Sequence, residues 1–392
     1  MTTLVKGESS VYIVPEVTEG TFVAETLVAQ AIEPNQDGLE FNLSREEIER
    51  KTLTSTIEAV EPRLGLKTVT GTIPIEFKAG SVAGAEPRGA LLYESLLGGK
   101  RAVATTTTTK ASGNTTTFLA MEDADAAKYL KNDCVLVKKA GAFEVRPVSA
   151  VVLTPGSAGL TLAIPLMGLP GASVVVEKTL TYFHDSDSPS FSVAHYQGGE
   201  ILEAIPGCKA NSGTLEGWVA GETPSFNFSI EGTDLVKTID TPSLSPDFSG
   251  DAKVPVIIHA CAWLGTEELD YTEFSLNIEN TKADLLSACS QSGKIGTRKT
   301  AFNVTASINP YMSDDNLDRW TKFEDNTVTS LFTYAFNPTA TDGEFNQAVA
   351  IWMPNVKITN MPAADQDGVL LDAIELRAFR SAGNDTIFLG FI

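Results

Sequence analysis

Few residues of this 392-residue chain have the types and spacing that chemistry requires. The closest approach to a metal site is His184-Asp185-Ser186-Asp187 with His195 nearby, but transition-metal sites usually show a more definite ligand spacing. A polar turn before an apolar strand at Phe191 explains the same residues, and we predict that turn. The chain has three histidines, a small supply for acid–base catalysis near neutral pH.

Two further segments resemble catalytic motifs without completing them. Ser292-Gly293-Lys294-Ile295-Gly296 suggests a phosphate loop, but Ala288 replaces its first glycine and Ile295 its magnesium-binding Ser or Thr. His259 and Cys261 lie in an apolar run, residues 256–261, which predicts a strand with a core histidine rather than a catalytic Cys/His pair. We therefore reject the phosphate loop and the catalytic pair.

No other motif predicts an enzyme. The sequence has no Gly-x-Ser-x-Gly elbow, no His-Glu-x-x-His and no Gly-x-Gly-x-x-Gly. The four cysteines have no paired spacing, so we expect buried free thiols and neither metal nor cofactor: Cys134, Cys208, Cys261 and Cys289. A hydrolase remains an alternative, because two catalytic carboxylates need no signature spacing.

The elements that must position these residues occur twice along the chain. The strands 39–43 and 65–73 are echoed by 272–276 and 296–308, with Phe41 matched to Phe274 and Ile73 to Ile308. A short helix follows each pair, at 87–97 and at 313–323. Three later matches keep the same order: 190–193 with 331–334, 206–209 with 354–357, and 224–230 with 371–377. The order predicts one β-fold built twice; the alternative is two unrelated β-domains with similar short strands.

The first copy carries an insertion of about 85 residues between Gly98 and Ser190, by the repeat alignment. A polar, Thr-rich connector at 105–117 opens it, and short apolar strands between Gly and Pro turns follow, which predicts a small β-barrel or sandwich that decorates an outer surface. We therefore expect a mainly β chain of three parts. These are a first β-sandwich domain (1–100 plus 181–240), the inserted domain (101–180) and a second β-sandwich domain (241–392), each sandwich with a short flanking helix.

Composition limits the partners. With 50 Asp and Glu against 29 Lys and Arg, the net charge is −21, which argues against tight wrapping of nucleic acid, because phosphate binding needs clustered basic residues. There is no run of 18 apolar residues, and residues 1–20 lack a signal-peptide pattern, so we expect a protein made and used without crossing a membrane.

Several motifs, in the correct order over most of the chain, resemble tail tube proteins of bacteriophages with long, non-contractile tails. The motifs are Val17-Thr18-Glu19-Gly20-Thr21, Gly38-Leu39-Glu40-Phe41, Gly71-Thr72-Ile73-Pro74-Ile75-Glu76-Phe77, Leu91-Leu92-Tyr93-Glu94-Ser95-Leu96-Leu97-Gly98-Gly99, Ser190-Phe191-Ser192-Val193 with Pro206-Gly207-Cys208-Lys209, and the closing segment 367–378. The insertion is covered least.

The resemblance implies a structural protein of the virion tail, assembled in the bacterial host cytoplasm, whose β-sandwich subunits form rings that stack into a hollow tube. It also implies a tape measure protein, a tail terminator and distal tail or baseplate proteins as partners, and transient, non-specific passage of double-stranded DNA during ejection. With two domains in each chain we expect trimeric, pseudo-sixfold rings; hexamers are the alternative.

Two sets of residues are candidates for these roles. The segments 45–64 and 279–295 are expected to be arms that reach neighbouring subunits or rings, with the charges Arg45, Glu46, Glu47, Glu49, Arg50, Lys51, Lys294 and Arg298. The lumen-facing candidates, which alternate with apolar neighbours, are Glu40, Glu76 and Glu375. A capsid decoration, tail-fibre or surface-layer subunit is the structural alternative.

Overall fold

The computed structural model describes residues 5–49, 61–139, 142–258, 260–289, 293–313, 316–336 and 348–392. It is mainly β, as predicted, with three α-helices in the described parts. The helices are α1 (Ala90–Leu97), α2 (Asp123–Ala126) and α3 (Asn316–Glu324), with 3₁₀ turns at Lys6–Glu8 and Val28–Gln30. Helix α1 ends at Gly98, whose φ of 103° suits glycine because a Cβ there would lie 2.1 Å from the Asp187 carbonyl.

The strands are β1 (Ser10–Pro15), β2 (Ala31–Ile32), β3 (Glu40–Ile48), β4 (Arg63–Glu76), β5 (Gly98–Val103), β6 (Thr107–Thr108), β7 (Phe118–Ala120), β8 (Cys134–Lys139), β9 (Ala142–Val152), β10 (Gly159–Leu162), β11 (Val175–Val176), β12 (Thr179–His184), β13 (Phe191–Gln197), β14 (Ile201–Glu216), β15 (Ser225–Gly232), β16 (Val236–Ile239), β17 (Cys261–Leu264), β18 (Glu267–Leu269), β19 (Tyr271–Leu286), β20 (Lys294–Pro310), β21 (Thr329–Phe336), β22 (Ala348–Asn360), β23 (Ala363–Gln366), β24 (Val369–Asp372), β25 (Ile374–Ala378) and β26 (Phe388–Phe391).

One long antiparallel sheet runs through both halves of the chain. Its order is β3-β4-β15-β14-β19-β20-β25-β22. Alternate residues of its strands point to an apolar core, as in β15, where every second residue from Phe226 is buried. The opposite face is rich in Ser, Thr and Asn. We call it the polar face; it includes Asn42, Thr70, Thr72, Asn227, Ser229, Ser212, Thr214, Asn277, Ser275, Thr305 and Ser307.

A second layer covers the core in each half. In the first half, β2-β1-β13-β14-β16 form this layer. In the second, β18-β17-β21-β22-β26-β12-β5 form it. Strands β14 and β22 are long enough to belong to both layers of their own half, so each half is a β-sandwich held by one shared strand.

The bulges in the ladders recur at matching places in the two halves. The bulge of β3–β4, at Arg45/Glu47, matches the one at Thr281/Lys282 in β19–β20, a ladder that has two further bulges. A second matching bulge interrupts β13–β14 and β21–β22, and a third interrupts β14–β15 and β22–β25. Bulges are specific features of a ladder, so three in the same order support a duplicated unit.

The bulges also correct parts of the sequence alignment. In the ladders Phe41 faces Gly71, whereas Phe274 faces Ile308, so the predicted matches Phe41 with Phe274 and Ile73 with Ile308 are incompatible. Aligning the bulges instead matches Phe41 with Leu276, and keeps Ile73 with Ile308.

Two further corrections follow in the later strands. The strand at Phe191 matches Thr329 rather than Phe332, and Ser229 matches Glu375, one residue from the predicted position. Alternation permits the two-residue shift at Phe41, because every second register places the same faces inward, but the odd shifts of three residues at Phe191 and one residue at Ser229 exchange the aligned faces.

The segment between β5 and β12 forms a six-stranded sheet of its own, β6-β11-β8-β9-β10-β7. The Thr-rich segment at its start is more than a polar connector: Thr107 lies in β6, and its hydroxyl is 2.8 Å from the Tyr129 hydroxyl in the interior. This sheet packs on the outer layer of the second half. Arg146 lies over the Trp263 ring at 4.6 Å, and Trp352 Nε1 donates to Asn132 Oδ1 at 3.0 Å.

The outer layer of the first half is covered differently. Tyr12 and Tyr196 pack beneath Phe22, Leu244 and Phe248. The Tyr12 hydroxyl donates to the Leu244 carbonyl at 2.5 Å, so residues after β16 return across the first half before the second begins. Among the described helices, none is long and apolar enough to span a membrane.

Candidate functional site

The two halves meet at a closed strand junction. Residues Ser212–Leu215 of β14 pair with Leu276–Glu279 of β19 in antiparallel register. On the core side of this junction Leu215, Leu276 and Ile278 are fully buried. The pairing turns the inner sheets of the two halves into one continuous sheet.

Beyond its bulge, the β19–β20 hairpin extends as an arm over the first half. Lys294 forms ion pairs with Glu231 of β15 and with Asp284 at 2.7 Å. Arg298 Nη1 lies 3.5 Å from Glu19, and the Thr297 amide donates to Glu19 at 2.9 Å. The arm therefore brings basic side chains onto acidic groups of the first half.

Lysines crowd the base of this arm. Burial lowers the pKa of Lys282 to about 7; Glu231 opposes the shift, while Lys209, Lys299 and Lys294 add to it. The Lys282 Nζ is buried without a hydrogen-bond partner among the described residues. Burial also lowers the pKa of Lys299 to about 8, although its Nζ donates to the Leu96 carbonyl at 2.9 Å. Burial, with the neighbouring lysines adding to it, thus favours the neutral amines of Lys282 and Lys299.

The outer strands of the long sheet leave two edges open. In the described chain β3 pairs with β4 alone, and beyond Val356 strand β22 pairs on one side, with β25. Leu43 of β3 matches Ile278, yet 41% of Leu43 is exposed whereas Ile278 is fully buried. The two open edges therefore belong to strands that match β19 and β14, but within the described residues no further strand pairs with them.

The predicted arm residues are partly strand residues. The β3–β4 ladder continues to Ile48 opposite Arg63, and the β19–β20 ladder to Leu286 opposite Lys294, so the arms are extended hairpins rather than loops starting at 45 and 279. Four arm candidates are exposed on β3 or directly after it: Arg45, Glu46, Glu47 and Glu49. Arg50 and Lys51 lie outside the described residues. Lys294 is buried inside the chain, where its ion pairs link the halves, and Arg298 is largely exposed beside Glu19.

The three lumen candidates lie on one face. Glu40 faces Thr72, Glu76 faces Ser225, and Glu375 faces Ser307, which places all three on the polar face. Glu40 and Glu375 are exposed, and Glu76 is half-buried with Lys78 Nζ at 2.8 Å. All three therefore lie on the face of the sheet away from the core, and their position in the lumen stays a prediction.

The two histidines considered as metal ligands, His184 and His195, take part in packing and hydrogen bonding within the fold. His184 ends β12 and stacks on Phe302 with ring centroids 3.9 Å apart; burial, with Lys299 nearby, lowers its pKa to about 4. His195 Nδ1 lies 2.7 Å from Glu203. Burial raises the pKa of Glu203, but hydrogen bonds from His195 and Lys237 outweigh it and hold that pKa below its ordinary value.

The remaining chemical candidates differ in part from expectation. Residues 256–258 form no strand, since β17 begins at Cys261, and His259 lies outside the described residues. All four cysteines are free; Cys134 and Cys208 are buried as expected, but Cys261 is half-buried and Cys289 exposed. Within the described residues, no group of His, Cys, Asp and Glu has the geometry to hold a metal ion.

Sequence reasoning missed two basic residues beside the open end of β22. Lys357 and Arg377 face each other across β22 and β25, beside a shallow depression lined by Thr359 and Phe379. Arg377 donates to Asn303 at 3.2 Å, and within the described residues neither cation forms an ion pair. Their positions match Lys209 and Glu231 at the closed junction, a signal that becomes visible only when the bulges are aligned.

A duplicated β-sandwich with an internal strand junction and matching open edges defines a structural, assembling β-protein. A family model described as phage tail tube protein matches residues 8–377, nearly the whole chain. The chain belongs to this family, as its motifs predicted; it is a structural component of the phage tail and not an enzyme. Membership implies self-assembly into a tube. No curated protein matches the chain.

Proposed function

We propose that this chain forms closed rings that stack into the hollow tail tube, and that each ring contains three chains. The observation that carries the proposal is the β14–β19 junction, which joins two copies of the inner sheet within one chain. The resemblance implies a ring of six single-copy domains, which corresponds to three chains with two copies each. Closing a ring would also pair the two open edges of the long sheet.

The internal junction supplies the register for the junction between chains. The matches are Phe41–Ser44 with Leu276–Glu279, and Asn360, the last residue of β22, with Ser212, so that the rest of the matching edge is the segment directly after β22. We expect β3 of one chain to pair with the end of β22 of the next. The contact is head-to-tail, and a head-to-tail contact whose rotation closes produces a ring.

The polar face is the proposed wall of the lumen, and double-stranded DNA is the proposed passenger during ejection. Ser, Thr and Asn line that face together with Glu40, Glu76 and Glu375. A basic wall would release counterions from DNA and bind it, whereas carboxylates repel the duplex. At physiological salt the screening length is about 8 Å, so the repulsion acts close to the wall.

The parts implied by resemblance complete the proposal. The tail is long and non-contractile, is assembled in the host cytoplasm, and contacts a tape measure protein, a terminator and distal tail or baseplate proteins. The domain boundaries at 100, 180 and 240 are part of the same proposal. The separate six-stranded sheet and the two sandwiches support it.

Electron microscopy of the purified protein at high concentration tests the assembly. We expect stacked rings and hollow tubes, with native mass spectra that show three chains per ring. Six chains per ring would contradict the stoichiometry and leave the tube intact, whereas a protein that remains monomeric at every concentration would contradict the tube. A map of the tube with a net positive lumen, or with all three glutamates outside, would reject the proposed wall.

A further inference from the structure

The closed junction has a definite electrical polarity. Its arm, β19–β20, contributes the basic groups Lys294 and Arg298, and the surface beneath contributes Glu231 and Glu19. The side chains that pair across the junction are thus bases on the arm and acids on the surface. This arrangement belongs to one chain and is complete without a partner.

Two of the matching positions at the open ends have the opposite charges. Each of Lys282 and Glu47 is the first ladder residue beyond the hairpin bulge, so Glu47 stands where the closed junction has Lys282. Glu231 faces Lys209 just before the sheet bulge, and Arg377 faces Lys357 at the same point, so Arg377 replaces Glu231. At these two positions the open arm is acidic where the closed arm is basic, and the open surface is basic where the closed surface is acidic, while Lys357 keeps the charge of Lys209.

These groups are also available for a partner. Glu47, Arg377 and the neighbouring Glu46 and Glu49 are exposed. Within the described residues none of them forms an ion pair, and Arg377 makes a hydrogen bond with Asn303. Isolated exposed charges are normally solvated and contribute little. Here, however, opposite charges occupy the matching positions of two complementary edges, and their equivalents, Lys282 and Glu231, are close enough within the chain for Glu231 to influence the charge of Lys282.

We propose that the β3–β4 arm of one chain docks on the Lys357–Arg377 surface of the next, with Glu47 facing Arg377, in a contact whose polarity is the reverse of the internal junction. This inference rests on the proposed ring. The occupant of the surface is a second copy of this chain, chosen by charge complementarity and by continuity with the internal sheet.

The reversed charges determine which arm docks on which surface. If the β3–β4 arm docked on the surface of the first half, Glu47 would meet Glu231, and like charges that face each other weaken a contact. The converse error, in which the β19–β20 arm docks on the Lys357–Arg377 surface, is disfavoured in the same way, because Lys282 would meet Arg377. Each arm therefore selects its own surface, and the two halves alternate around the ring.

The test is charge reversal at both ends of the new contact. Glu47→Arg and Arg377→Glu each place like charges together, so each should raise the concentration needed for assembly by about tenfold or more relative to the unmodified chain. The double variant Glu47→Arg/Arg377→Glu restores opposite charges and should assemble near the original concentration. Light scattering and electron microscopy at low salt measure the threshold, and thermal melting checks folding.

A matched control is Glu200→Arg, an exposed reversal in the turn between β13 and β14, which should assemble like the parent. If the single variants assemble like the parent, or if the folded double variant does not recover, the inference is wrong. A parent chain that never assembles would instead contradict the proposed function.

Mixing the two single variants adds a parity test. Every contact between unlike variants is complementary, so they alternate around a ring, and alternation closes a ring only when the number of chains is even. With three chains per ring, the equimolar mixture should form open pairs but no closed rings. Closed six-chain rings in the mixture would confirm the contact and overturn the trimeric count, while a mixture that forms no pairs would contradict the contact.

Discussion

The closed junction and the open edges of this protein are formed by matching strands of the two halves, and these strands differ in burial and charge. Ile278 is fully buried where β14 meets β19, while Leu43, at the matching position of β3, is 41% exposed. Glu231 forms an ion pair with Lys294, whereas the matching Arg377 has no acidic partner among the described residues. Backbone geometry is thus repeated more faithfully than side-chain chemistry.

The difference shows how a duplicated subunit avoids symmetric errors. Identical junctions would permit either half to pair with either half of another chain, whereas distinct charges make the internal and external contacts unequal. Covering elements diverge as well. The outer layer of the first half is covered by the chain around Phe22 and Phe248, and that of the second by the inserted sheet.

The largest effect is expected from one substitution made at the two matching positions. Ile278→Asp would bury an unpaired carboxylate in the closed junction and should lower the free energy of unfolding by more than about 4 kcal/mol. Leu43→Asp should change it by less than about 0.5 kcal/mol in the unassembled chain and weaken assembly, because charge on an edge strand opposes pairing.

Chemical denaturation of the unassembled chains, followed by electron microscopy, measures both effects. Equal losses of stability in the two variants would show that the edge is already covered within the chain. Normal assembly of Leu43→Asp would show that β3 is not an assembling edge.

A second prediction compares two tryptophans of the second half. Trp263 is buried against Arg146 of the inserted sheet and stacks on Tyr334, so Trp263→Ala should cost about 3 kcal/mol or more of unfolding free energy. Trp320, on α3, is 43% exposed, and Trp320→Ala should cost less than about 1 kcal/mol. Thermal melting of both variants checks this. Similar small costs would show that the inserted sheet rests only loosely on the second half.

A third prediction follows from the buried amine at the closed junction. Between pH 7 and pH 10.4 the unfolded chain keeps a proton on Lys282 that the folded chain has lost, because the folded pKa is about 7. Stability therefore rises with pH in this window, by at most about 1.4 kcal/mol per pH unit from this group. Lys282→Met should flatten the rise and stabilise the chain at pH 7.

The matched control is Glu47→Met at the exposed equivalent, which should leave the pH dependence above pH 7 unchanged. Unfolding by denaturant at several pH values, in unassembled chains, supplies the comparison. A slope that is the same in Lys282→Met and the parent would mean that Lys282 stays charged in the folded protein.

The sequence predicted the mainly β class, the family, both helices that follow the hairpins, and the alternation that points Glu40, Glu76 and Glu375 away from the core. These features depend on local periodicity and motif order, which short segments retain. The alignment of the two halves was harder to predict. Phe274 faces Ile308 in its ladder whereas Phe41 faces Gly71, and no local pattern shows by how many pairs of residues the two ladders must be shifted to match. The positions of Lys357 and Arg377 depend on that register, and Lys294 is buried because its hairpin packs against Glu231 of the first half, so neither could be read from spacing.

The smallest effect is expected at His184, where a strand of the first half touches the second. His184 stacks on Phe302, and burial together with Lys299 lowers its pKa to about 4. Between pH 6.5 and pH 4 the unfolded chain binds a proton that the folded chain does not, so stability falls as the solution is acidified through this window. Because the ring is partly exposed, solvent screening limits the loss to about 1 kcal/mol. His184→Phe keeps the stacking and removes the titration, so the difference in unfolding free energy between parent and variant should grow as pH falls from 6.5 to 4. A difference that stays constant over this range would show that His184 is protonated equally well in the folded chain.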